Sequence, residues 1–96
     1  MLIDHYRAIE VSSIRMLEAA KAKDWSGVIK CEGVCATLIQ QLRDTAKVEE
    51  LDAASRAEKS KIMLRILQND AQIRYLAEPA LAQIELGSSQ STQYLH

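Results

Sequence analysis

LQNDAQIRYLAEPALAQI, residues Leu67–Ile84, decides how this chain folds. The stretch has a helical pattern that is apolar on more than one face, and it holds the chain's only proline, Pro79. Ile73, Leu76 and Ala77 continue a core row begun by Ile62 and Ile66, with Met63, Asn69 and Asp70 on its margins. Leu64, Ala71 and Tyr75 project from roughly the opposite side on a 3.6-residue period, and Leu67 lies between the faces. One antiparallel neighbour cannot cover both sides. Pro79 has no N–H, and it pushes Glu78 away from helical geometry. The pattern therefore predicts a helix three over 55–77 and a short fourth helix over 79–86 that starts on the proline and carries Leu81 and Ile84. So short a helix needs a surface to hold it, and the second face of helix three is nearest. Residues 87–96 are Ser-, Gln- and Thr-rich and predict a flexible polar tail.

Upstream, Leu2, Tyr6, Ile9, Ser13, Met16, Leu17 and Ala20 form one stripe, which predicts helix one over 2–23. Ile3, Val11 and Ile14 fall off the stripe, so the helix is apolar over more than a narrow seam. Asp24 reads as the N-cap of helix two, predicted over 25–47. The turn before it is very short, which makes the first two helices an αα-hairpin. Trp25, Val28, Glu32, Cys35, Ile39, Leu42 and Ala46 form the helix-two stripe, widened by Cys31 and Leu38. Glu32 is a carboxylate in an apolar row. It calls for a basic partner on a neighbouring helix or a place at the stripe's edge. Ser55 and Glu58 fit a capping box for helix three.

With 96 residues there is room for one domain and one core, residues 1–86. Phe is absent and glycine and proline are scarce, so Leu, Ile, Ala and Met must do the packing. The expected fold class is all-α: an antiparallel helical bundle of three long helices plus a short C-terminal fourth. The net charge of −1, with no basic stripe, argues against direct nucleic-acid binding. No apolar run suits membrane insertion, and no signal peptide is evident, so a cytoplasmic location is expected.

No residue pattern points to catalysis, a cofactor or a metal. Cys31 and Cys35 lie one turn apart on helix two, but a metal site would need further ligands, and packing is the simpler role. His5 raises a histidine phosphotransfer-type signalling bundle as an alternative, but it sits in the first turn of helix one. Trp25 closes the bundle end, or is displayed for recognition, or both. Arg56, Glu58, Lys59, Lys61 and Arg65 are most simply the solvated face of helix three. Function then rests on surfaces. The expected partner-binding groove is Leu38, Leu42, Met63, Leu64, Leu67, Ala71 and Tyr75, read as anchors for an amphipathic helix. Pro79, Leu81 and Ile84 are the expected autoregulatory helix competing for it. A structural homodimerisation module is the further alternative.

The basic end of helix one, then Asp24-Trp25, then Glu32 in the helix-two stripe, together resemble the FliT family of flagellar export chaperones. Leu67–Ile73 and Leu81–Ile84 match again, and Gly87–Gln93 is similar to the Ser/Gln/Thr-rich segment after the family's last chaperone helix. The resemblance covers roughly Met16 to Gln93. It implies a cytoplasmic chaperone of flagellar type III secretion. Its partner would be the C-terminal helical region of the filament cap protein FliD, delivered to the export ATPase and export gate. In some bacteria the resemblance also implies binding of the transcriptional regulator FlhDC. It implies that the C-terminal helix regulates access to partner sites.

Overall fold

The computed structural model describes residues 1–88, with side chains as far as Glu78. Three helices make up the described chain: α1 (Leu2–Lys21), α2 (Trp25–Ala46) and α3 (Ala53–Ser88). No strand is present among the described residues. The tail expected over 87–96 begins inside α3, since Gly87 and Ser88 are helical, and from residue 89 onward it lies outside the described residues.

Local chemistry sets each boundary. α1 stops at Lys21, two residues earlier than the periodicity predicts, because Lys23 takes a left-handed backbone with φ 59°. The Lys23 N–H donates to the Ala20 carbonyl at 3.0 Å and the Asp24 N–H to the Ala19 carbonyl at 2.8 Å. This pair of bonds is a Schellman ending, which satisfies helix carbonyls that would otherwise be orphaned. Asp24 then caps α2 as expected, its carboxylate accepting from the Gly27 N–H at 2.9 Å. Gly27 leaves room for that cap, since a Cβ there would collide with the Asp24 carboxylate.

Two expectations for α3 are corrected. Its cap is Asp52 rather than Ser55: the Ser55 N–H donates to Asp52 Oδ1 at 2.7 Å, so Ser55 is already inside the first turn. A carboxylate is the stronger acceptor, and Ala53 and Ala54 favour helix over loop. Nor does Pro79 divide the helix. The backbone is helical from Ala53 to Ser88, so the expected fourth helix is the last part of α3. Proline removes one N–H bond and costs about 3 kcal/mol in a helix interior. The helix formers on both sides sustain the turn across it.

α1 is the central element. α2 packs along one side of it and α3 along another, while α2 and α3 make no close backbone approach. The wide apolar seam of α1 serves these two neighbours. Ser12 and Ser13, adjacent and both buried, show the division. Cys35 Sγ of α2 donates to Ser12 Oγ at 3.1 Å, and Asn69 Nδ2 of α3 donates to Ser13 Oγ at 3.0 Å. α1 and α2 run antiparallel, with His5 Nε2 3.0 Å from Thr45 Oγ1 near the other end. α1 and α3 run parallel, as the first and third helices of an up-down-up bundle must. Their pairings rise together: Arg7 with Glu58, Glu10 with Arg65, Ser13 with Asn69.

The core holds Leu2, Ile3, Ile9, Leu17, Ala20, Val28, Ile62 and Ile73. Ile62 is fully buried, worth about 2–3 kcal/mol of transfer free energy. Ile3, off the predicted stripe, is buried as well, whereas Val11 and Ile14 stay exposed. On the α1–α3 flank the Arg7 guanidinium donates to both Glu58 oxygens, at 2.6 and 2.7 Å. Arg65 pairs with Glu10, Nη2 donating to Oε1 at 3.1 Å. These hydrogen bonds hold the carboxyls of Glu58 and Glu10 below the usual carboxylate range.

Candidate functional site: an open groove between α2 and α3

Because α2 and α3 both lean on α1 without meeting, a groove of about 790 Å³ opens between them. Its floor is Met16 of α1 with Val28, Cys35 and Ile73. Trp25, Ile29, Glu32, Ala36 and Ile39 form the α2 wall at alternating spacings of four and three, which keeps them on one side of the helix. Asp70, Arg74 and Ala77 form the α3 wall on the same principle. Most of the lining is apolar, and the walls are open to solvent: Ile29 is 67% exposed. The polar lining side chains are Glu32, Asp70 and Arg74. Arg74 Nε donates to Asp70 Oδ2 at 2.9 Å, and Glu32 makes no ion pair among the described residues.

Trp25 stands between core and groove. It packs against the Leu17, Ala20, Val28 and Ile73 cluster and also lines the groove. Glu32 sits at the edge of its stripe, exposed, which explains a charge in an apolar row. Asn69 ties α3 to α1 while Asp70 edges the groove.

The structure distributes the seven groove residues expected from sequence over three places. Leu38, half-buried, lines a smaller cleft of about 350 Å³ between α1 and α2, with Val11, Arg15, Cys31 and Val34. Leu42 is half-buried on the α1-facing row of α2 that runs through Val28, Cys31, Cys35 and Leu38. Met63 and Leu67 share the helical side of Asp70, Arg74 and Ala77, so they extend the α3 wall downward. Leu64, Ala71 and Tyr75 lie on the outer side of α3, where Leu64 is 57% and Tyr75 75% exposed. The second apolar face of α3 is therefore exposed among the described residues, but it is not the wall of the groove.

None of the twelve residues lining the groove is among those seven, and Ile29, Ala36 and Arg74 were not singled out from sequence at all. The available signal was the Trp25-Ile29-Glu32-Ala36-Ile39 row, a second apolar face on α2 beside the core row. Pro79, Leu81 and Ile84 fall on the part of α3 whose side chains lie outside the described residues. Its backbone stays helical as far as Ser88. The remaining constellations have plain roles. His5 is half-buried against Thr45. Cys31 and Cys35 are free, half-buried thiols. Among the described residues no helix is long and apolar enough to cross a membrane.

Over the described residues, fold and groove define an all-α protein: three long helices with an apolar groove open between two of them. The family model for flagellar protein FliT matches residues 3–95. The crystal structure of flagellar protein FliT from Bordetella bronchiseptica superposes with a TM-score of 0.76 at 36% sequence identity, over 88% of this chain and 95% of that one. Comparison with curated proteins gave no significant match. The chain belongs to the FliT family of flagellar proteins.

Proposed function

We propose that this chain is a cytoplasmic flagellar type III export chaperone, a binding protein with no catalytic role. Its α2–α3 groove captures the C-terminal helical region of the filament cap protein FliD. Capture prevents premature assembly of the cap protein, which is then delivered to the export ATPase and export gate.

One observation carries this reading. Two helices lean on a third and leave the fourth side of the bundle open and apolar. Such a trough fits an amphipathic helix that places its i, i+3, i+4 and i+7 side chains on Met16, Ile29, Ile39 and Ile73. Occupancy would convert three helices into a four-helix bundle, the arrangement in which apolar faces of this width are usually buried.

Calorimetric titration with a FliD C-terminal helical peptide tests the proposal. Ile29→Asp should weaken binding at least tenfold, about 1.4 kcal/mol, by placing a charge on the apolar contact. The exposure of Ile29 means that folding should be unaffected. Tyr75→Asp, on the outer face of α3, should leave affinity unchanged. The reverse pattern would move the partner site from the groove to the outer stripe of α3.

A further inference from the structure

Charge differs between the groove and the helix faces that continue it toward the α1 N-terminus. At the level of Met16 the groove walls carry Glu32, unpaired among the described residues, and the Asp70–Arg74 pair. Toward the other end, Arg43 follows Ile39 by four residues and continues the α2 wall. Lys59 precedes Met63 by four and continues the α3 wall.

Register places these two cations opposite each other. Thr45, two residues beyond Arg43, meets His5, and Glu58, next to Lys59, meets Arg7. Lys59 Nζ stands 5.3 Å from the centroid of the Tyr6 ring, so both cations lie at the level of that phenol. Neither forms an ion pair among the described residues. The acids nearby are engaged: Asp44 with Lys47, Asp52 with the Ser55 N–H, and Glu49 with the Leu2 N–H. Glu50 lies beyond them in the connection to α3.

A docked helix brings its own polarity, with a partial negative charge at its C-terminus and a positive one at its N-terminus. We infer that the helix held in this groove lies with its C-terminal end between Arg43 and Lys59, and that it carries acidic side chains in its last turn. Its N-terminal end then lies near Glu32 and Trp25. The bound helix runs parallel to α2 and antiparallel to α3. This inference rests on the groove being the partner site and adds its direction and charge preference.

Trp25 is the chain's only tryptophan and marks one end of the groove. Arg43 lies about 27 Å along α2 from it, at 1.5 Å per residue. A short-range nitroxide quencher therefore separates the two directions. The FliD C-terminal peptide, in a tryptophan-free form, is labelled at its N-terminus or at its C-terminus and titrated into the full chain. The N-terminal label should quench Trp25 and the C-terminal label should not. Quenching by the C-terminal label, or equally by both, would overturn the direction. Failure of both peptides to bind by calorimetry would instead remove the groove reading, and the direction with it. Arg43→Glu combined with Lys59→Glu should weaken binding about tenfold and flatten its salt dependence. Unchanged affinity in that variant would overturn the acidic last turn.

Discussion

Lys23→Gly should stabilise this protein even though it removes a charge and makes no new contact. Lys23 holds φ at 59°, where a Cβ costs about 1–2 kcal/mol. Glycine removes that cost but enlarges the unfolded ensemble by roughly 0.4–1 kcal/mol. It also loses the attraction between a cation and the α1 C-terminus, a few tenths of a kcal/mol at so exposed a site. The net gain is about 0.5 kcal/mol. Lys23→Ala is the control, since it loses the charge but keeps the Cβ and should destabilise slightly. The two variants should differ by about 1 kcal/mol, or roughly 5 °C in Tm for a chain of this size. Urea and thermal melts followed by circular dichroism at 222 nm measure both. A glycine variant no more stable than the alanine variant would show that the turn between α1 and α2 does not depend on the left-handed residue. The turn bears on the candidate site, because it sets where α2 leaves α1 and so where one wall of the groove stands.

The cap of α3 can be assigned by comparing two substitutions: Asp52→Ala should cost about 1 kcal/mol in urea denaturation, and Ser55→Ala much less. Equal losses would contradict the assignment to Asp52. Pro79→Ala should restore a backbone N–H bond and raise helicity at 222 nm, with slower amide exchange around Tyr75–Ala82. A fall in helicity would mean that α3 needs the proline. The third expectation concerns pH. The carboxyls of Glu10 and Glu58 titrate below their ordinary value of 4.5 because Arg65 and Arg7 hydrogen-bond to their charged forms. Their contribution is therefore complete above about pH 4.5 and is lost as pH falls through the lowered folded-state values. Urea midpoints should drop on acidification across that window, and the drop should shrink in a Glu10→Gln, Glu58→Gln double variant.

The caps and periodicities illustrate where local reading succeeds and where two local signals compete. Asp24 was legible because a carboxylate three residues before a helical N–H has one evident use. Ser55 with Glu58 matched the capping-box pattern, whereas the structure puts the cap at Asp52, whose carboxylate lies three residues before the N–H it accepts from. Pro79 was a real local penalty, but the helix formers flanking it outweighed that penalty.

Sequence by itself determined that the chain is helical, that α1 and α2 form a hairpin, and which side chains are apolar on each face. These follow from interactions within a few residues, where 3.6-residue spacing, caps and side-chain size act. It also determined that α3 has a second apolar face, since Leu64, Ala71 and Tyr75 cannot share a neighbour with Ile62 and Ile73. Only the tertiary structure decided which helix stands at the centre, and therefore where the groove opens. Periodicity says that a face must be covered, but not by which neighbour. α2 carries two apolar rows one helical position apart, and only the lean of α2 and α3 on α1 settles their roles. The row through Val28, Cys35 and Leu42 faces α1, and the row through Ile29, Glu32 and Ile39 is left open along the groove.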